Sequence, residues 1–375
     1  MKNPLKIAVL SFADIDNFGD ILFAHVVEGE IKKIDNHATI DFFSPTDYEH
    51  ADRIYKSFDC EEDYSEYDAI LLAGGEVIHF YDERTWLPIY EKRGFSFPDD
   101  RRPSDIIWKF HDKKQVAYKA WLSVGVRECK EIEDGLLEKV IQDLDFISVR
   151  GLLSKKILEK KEFNFYDRKI RLTPDLGWLF PETLTRNSHL SSISHIVELE
   201  EPYIIFQTNN ISDDDCQLIT KELMKVKQNL HLNIVLLPVI RPWDDLSYLK
   251  KIEHCSKGSI KCLPNNLNAF QIMKVILGAK FVISSSLHCA LTALAADIPA
   301  GLINKWQGSK LQDIFSQQFR MDFLSSDYND IYYFSERLAA ESKSDKEILS
   351  SFSSLMRLHL RKLFQDLVSD IRNST

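Results

Sequence analysis

The run Val282-Ile-Ser-Ser-Ser-Leu-His288 concentrates the most chemistry in the shortest span of the chain. An apolar segment passes into three small hydroxyl residues and then into a helix-forming stretch. A strand-to-helix junction of this kind turns backbone N–H groups and the positive end of a helix dipole toward an anion. Ser285, Ser286 and Leu287 would line it. His288 falls in the first helical turn, where an imidazole can serve as general acid or base near neutral pH. A plainer reading makes the serines helix caps and His288 a satisfied surface residue, and residue types alone do not separate the two.

Four other pieces carry weaker signals. Asn17-Phe-Gly-Asp20 follows the first apolar run. Asn17 and Gly19 suit a tight turn and Asp20 suits an N-cap, although Asn17 or Asp20 could instead bind a substrate hydroxyl. Gly74-Gly75-Glu76 ends a later strand, where paired glycines let backbone approach a ligand closely. The spacing matches neither the G-x-G-x-x-G fingerprint nor a P-loop. Ser148-Val-Arg150 places a guanidinium at a strand end, suited to a carboxylate or phosphate, with Lys155 and Lys156 a turn later. Thr173-Pro-Asp175 is either a functional acid or a simple turn. No H-x-x-x-H, C-x-x-C or ligand-spaced carboxylate set is present, so no metal is expected in the chemical step.

These pieces need elements to hold them. With 375 residues, the chain is long enough for two cores. Its 44% hydrophobic and 28% charged content is that of a globular protein. A net charge of −10 opposes nucleic acid and anionic lipid, so an anionic substrate needs a local cluster of N–H or cationic groups. The six scattered cysteines are expected to be reduced core thiols in the cytosol. No targeting or membrane-spanning segment is expected, since Asp14 and Asp16 follow the first apolar run and polar residues break the run from Phe281 to Ile303.

Apolar runs near 6–12, 38–44, 67–73, 117–124, 146–149 and 170–173 alternate with helical patterns. The alternation resumes with strands near 203–207, 233–239, 259–263, 281–284 and 300–303. Strict β-α-β order implies parallel sheets with helices on both faces. The expected division is an N-terminal domain over 1–180, a linker over 181–201 and a C-terminal domain over 202–335. Residues 80–113 are expected to form an insertion over the sheet edge. An amphipathic helix over 345–372 is expected to dock on the protein, with Ile348, Phe352, Leu355, Met356, Leu363, Leu367 and Ile371 near one face. Ligands in such sheets lie beyond the C-terminal ends of the strands, where all five pieces fall.

In this order and spacing the pieces resemble the polysaccharide pyruvyl transferase family. The match lies in Asn17, Gly19 and Asp20, in Gly74 and Gly75, in Val149-Arg150, in Pro174-Asp175, and in Ser286-Leu-His288 with Pro299 beyond. Many members carry Arg where this chain has Ser286, and Gly where it has Cys289. The resemblance covers about residues 5 to 305. It implies an α/β fold of two Rossmann-like doubly wound domains in a GT-B-like arrangement, with the active site in the interdomain cleft. It implies an enzyme that transfers pyruvate from phosphoenolpyruvate to two hydroxyls of a sugar in a cell-surface polysaccharide or its precursor, free or lipid-linked. The N-terminal domain would face the acceptor and the C-terminal domain the donor. His288 would then be the general acid and Asp20 would orient or deprotonate the sugar hydroxyl. Arg150, Ser285, Ser286 and Leu287 would hold the donor, and Asn17, Gly19, Gly74, Gly75, Glu76 and Asp175 would line the site. The expected setting is cytoplasmic, at most peripheral to a membrane. A glycosyltransferase of the same architecture using a nucleotide sugar, and a catalytically idle sugar-binding relative, are the alternatives.

Overall fold

The computed structural model describes residues 3–51, 53–59, 61–78, 83–97, 102–109, 118–127, 134–159, 170–192, 199, 202–242, 244–303, 305, 311–313, 315 and 321–375. The chain forms two compact units. One comprises Met1–Ile15, Asp20–Leu176 and Leu358–Thr375, the other Asp16–Gly19 and Gly177–Arg357.

In the first unit, uninterrupted apolar runs become the buried central strands β1 (Lys6–Leu10), β5 (Ala69–Ala73) and β6 (Tyr118–Val124). Such runs are the pattern of parallel strands covered on both faces. Around them lie β2 (Thr39–Ser44), β3 (Tyr48–His50), β4 (Arg53–Ser57), β7 (Phe146–Val149) and β8 (Ile170–Leu172). The sheet order is β3-β4-β2-β1-β5-β6-β7-β8, and only the β3–β4 hairpin is antiparallel. Strand β1 pairs with β2 on one side and β5 on the other, so the winding reverses there. Helices α1 (Phe18–Ile34), α2 (Glu83–Lys92), α3 (Asp105–Trp108), α4 (Asp134–Asp143) and α5 (Leu152–Leu158) connect the strands.

The second unit opens with α6 (Phe180–Arg186). Strands β9 (Tyr203–Gln207), β10 (Asn233–Leu236), β11 (Lys261–Cys262), β12 (Val282–Ser284), β13 (Ala300–Ile303) and β14 (Leu324–Ser325) follow. They form a parallel sheet in the order β11-β10-β9-β12-β13-β14, reversing between β9 and β12. The intervening helices are α7 (Asp213–Leu230), α8 (Asp245–Cys255), α9 (Ala269–Leu277), α10 (Leu287–Ala295) and α11 (Asp330–Ala339). Capping boxes start two of them, Ser212 with Asp215 for α7 and Asn268 with Gln271 for α9, satisfying N–H groups that a helix start leaves without partners. Helix α12 (Lys343–Ser374) gives residues up to Arg357 to the second unit and the remainder to the first.

Several expectations change. The linker expected over 181–201 is ordered secondary structure where described: α6 buries Phe180 and Thr183, and a 3-10 turn follows over Ser188–Leu190. The units part between Leu176 and Gly177 instead. The stretch 80–113 does not lie over the sheet edge in its described part, because Tyr90, Ile106, Ile107 and Trp108 join the main core of the first unit. Its aromatic content reflects burial. On α12 the buried set is Leu349, Leu360, Leu363, Phe364, Leu367, Val368 and Ile371, whereas Ile348 and Leu355 are 65% and 57% exposed. Cys216, Cys262 and Cys289 are buried free thiols, but Cys255 is exposed. No helix among the described residues is long and apolar enough to cross a membrane.

Candidate active site

Each unit collects sequence-flagged residues where its own sheet reverses, the place where such sheets take ligands. In the second unit β12 ends at Ser284 and α10 begins at Leu287. Ser286 holds the N-cap position with extended backbone, yet its hydroxyl caps nothing. The side chain of Gln207, at the end of β9, organises the junction. Its Oε1 accepts from the Ser284 hydroxyl (2.7 Å), the Ser285 N–H (3.2 Å) and the Ser286 N–H (2.9 Å). The Ser285 and Ser286 amides, expected to face a donor, therefore have an internal acceptor.

Gln207 passes the connection on. Its Nε2 donates to Oδ2 of Asp245 (2.9 Å), which also accepts from the N–H groups of Val239 (3.3 Å) and Ile240 (3.1 Å). Burial pushes the Asp245 carboxyl up to about 6, while the donors around it pull the other way. The same Val239 and Ile240 hold the Asn17 turn: Phe18 N–H donates to Val239 C=O (3.3 Å), and Asn17 bridges Ile240 in antiparallel fashion. An Asp16–Arg241 ion pair secures the turn from the side.

Helix α1 starts at Phe18, with Asn17 Oδ1 accepting from Gly19 N–H (3.2 Å). Asn17 therefore holds the cap position expected of Asp20, and Asp20 sits in the first turn. Gly19 lies directly against the imidazole of His288, so that a Cβ there would overlap Nδ1. The other neighbour of the His288 ring is Phe180, 5.9 Å away between centroids and tilted by 57°. His288 is half-buried in the first turn of α10, its C=O accepting from the Thr292 hydroxyl (2.7 Å).

In the first unit, Gly74 and Gly75 follow β5 with φ of +61° and +77°, backbone that side chains disfavour. This lets Asp20 approach, its Oδ1 being 3.1 Å from where a Gly75 Cβ would stand. Next to it is a group that no spacing flagged. Asp14 is fully buried, accepting from Thr46 N–H (2.9 Å), Thr46 hydroxyl (2.8 Å) and Tyr90 hydroxyl (3.2 Å). Burial raises its carboxyl to about 7 against the Thr46, Arg93 and Tyr90 contributions. Arg150 and Asp175, expected as a donor ligand and a lining acid, form a buried ion pair (2.6 Å), and the guanidinium passes over Gly125. Glu76 is half-buried, 4.0 Å from Arg127. Lys155 pairs with Glu159 along its own helix (3.5 Å). Among the described residues no three His, Cys, Asp or Glu gather as a metal site.

Gln207, Asp245, Asp14 and Tyr90 were missed by sequence reasoning. A usable signal existed for one of them: Gln207 is the first polar residue after four buried apolar ones, at a parallel strand's C-terminal end.

Against known proteins, a family model described as polysaccharide pyruvyl transferase matches residues 17–304. No curated protein matches the chain. Among solved structures, a putative UDP-N-acetylglucosamine 2-epimerase from Listeria monocytogenes superposes with a TM-score of 0.54 at 11% identity, covering 92% of this chain and 91% of that one. The UDP-GlcNAc 2-epimerase from Methanocaldococcus jannaschii gives 0.53 at 9% identity, covering 94% and 100%. The S. aureus MnaA–UDP co-structure gives 0.54 at 10%, covering 92% and 90%. At these identities the likeness is one of fold, two Rossmann-like doubly wound domains of the GT-B kind.

Proposed function

Because this chain belongs to the polysaccharide pyruvyl transferase family, and so is an enzyme that moves pyruvate from phosphoenolpyruvate onto hydroxyls of a sugar, we propose that His288 supplies the proton that starts the transfer. Protonating C3 of the enol makes C2 electrophilic. Two sugar oxygens then bond to C2 and the C2–O bond to phosphate breaks. Of the two hydroxyl protons lost, one balances that gained at C3 and the other leaves with phosphate. The observation that carries the assignment is the seat of His288, a half-buried imidazole at a strand-to-helix junction, fixed between Gly19 and Phe180.

The remaining roles follow from chemical type. Asp20 accepts or orients the hydroxyl proton of the acceptor. The first turn of α10, from Leu287 onward, favours the donor's negative charge through its dipole. Arg150, locked by Asp175, is a planar cation suited to a carboxylate or phosphate. Asn17, Gly19, Gly74, Gly75 and Glu76 shape the surroundings of these groups, and the Ser284–Ser286 stretch sets the direction of α10. A lipid-linked acceptor and a cytoplasmic setting, with at most peripheral membrane contact, complete the proposal. Phosphoenolpyruvate is an intracellular metabolite, which supports that setting.

Thermal scanning with phosphoenolpyruvate, nucleotides and nucleotide sugars, each with and without simple hexosides, tests the reading. A ligand that binds the native state at a hundredfold excess over Kd adds about 2.7 kcal/mol, or several degrees in Tm. Phosphoenolpyruvate should give that shift, and phosphate release should follow with the right acceptor. A response to a nucleotide sugar alone would instead indicate glycosyl transfer.

A further inference from the structure

We infer that the buried Gln207–Asp245 pair is a positioning device that fixes His288 from both sides, through the helix that carries it and through the turn that abuts it. The inference rests on the assignment of His288 to the reaction. The contacts close into a ring within the second unit. From Gln207 they run to the Ser285 and Ser286 amides, and so to the first turn of α10 and His288. From His288 they pass to Gly19 and the Asn17 turn. That turn is held by Val239 and Ile240, whose N–H groups end on Asp245, which returns to Gln207.

Both side chains are fully buried. A carboxamide and a carboxylate in a core are unfavourable unless hydrogen bonds satisfy them, and an apolar pair of similar volume would pack at no such cost. What the polar pair adds is direction. A glutamine carbonyl accepts only along its lone pairs, and one carboxylate oxygen drawing three N–H donors fixes where three backbone segments meet. The gain falls on the two segments that touch His288. Gln207 also takes up the Ser285 and Ser286 amides, so their part in catalysis is to hold the helix start in place.

The test is a pair of variants and their combination. Gln207→Glu is isosteric but sets a carboxylate oxygen against Asp245, so the two must share a proton or separate. At neutral pH its kcat/KM should fall roughly ten- to hundredfold, the size of coupling seen within a single polar network. The loss should shrink as pH is lowered and the shared proton binds. Asp245→Asn lowers kcat/KM by itself, because a neutral acceptor holds the three N–H groups less firmly. Placed together with Gln207→Glu, it removes the like-charge contact and should restore most of the loss. Gln207→Asn shortens the reach without adding charge. It should impair turnover at every pH and show no rescue by Asp245→Asn.

Tm of each variant, measured alongside, separates positioning from unfolding. A folded Gln207→Glu enzyme with wild-type kinetics would overturn the inference, as would a double variant no better than the single. His288→Gln is run in parallel. Full turnover in that variant overturns the site and the inference together. An inactive His288→Gln beside an unaffected Gln207→Glu overturns the positioning role alone.

Discussion

Gly19 and His288 are so close that adding one methyl group should disable the enzyme. Gly19→Ala would drive a Cβ into Nδ1 of the imidazole, and the ring must then leave its seat against Phe180. Turnover should drop by about 10²–10⁴-fold, as for loss of a positioned acid. His288→Ala should match it, with Tm nearly unchanged. Steady-state kinetics and thermal scans check both, and near wild-type turnover in His288→Ala would remove the general-acid assignment. Arg150→Lys keeps a charge but gives up the planar fork that meets Asp175, so donor KM should rise. Wild-type donor kinetics would reduce Arg150 to a structural role. Asp14 gives a prediction in pH. Its carboxyl is raised on folding from 3.8 to about 7, so its contribution to stability is full below the unfolded value and is lost as pH climbs through 7. Asp14→Asn removes this term. Its Tm relative to wild type should therefore increase between pH 5.5 and 8.5, whereas parallel curves would refute the shift. His288 and Arg150 were legible in the sequence because strand-end position and residue type pointed to them together. Asp14 and Asp245 were not, because a carboxylate becomes unusual only once its surroundings are known to be dry.

At the scale of elements, the central strands were the easiest to read. Tyr203–Gln207 and Ala300–Ile303 are short apolar runs with polar borders, and both appear with the expected limits. The β3–β4 hairpin was missed because Tyr48–His50 and Arg53–Ser57 alternate exposed and buried positions over too few residues to show a period. Helix α11 was missed for a different reason. Its Ile331, Phe334 and Leu338 form a buried stripe, but it lies past the last expected strand, where no crossover called for a helix. The helix α12 was found, and its apolar face was misjudged by about one position per turn. The correction is testable. Leu367→Ala empties a fully buried site and should cost roughly 2–5 kcal/mol, whereas Leu355→Ala, at an exposed one, should stay within about 0.5 kcal/mol. Denaturant titration of both variants decides it, and equal costs would restore the face expected from the sequence.

For the whole molecule, the division of the chain matters more than its composition. The first unit is completed by Leu358–Thr375, where Arg372 meets Asp35 (2.8 Å) and Arg171 meets Asp366 (3.3 Å). The second unit needs Asp16–Gly19, which carries the Asp16–Arg241 pair. Neither unit is therefore a continuous piece of sequence. This bears on how the protein is made. Domains of a growing chain usually fold in order as they leave the ribosome, the N-terminal one first. Here the earliest strands to emerge must wait, with the sheet of the first unit still missing its last covering segment, until nearly everything else has been translated. Meanwhile the second unit can close around a turn delivered among the first twenty residues. The half that begins synthesis is the half that finishes folding, which would expose its apolar strands to chaperones for most of translation.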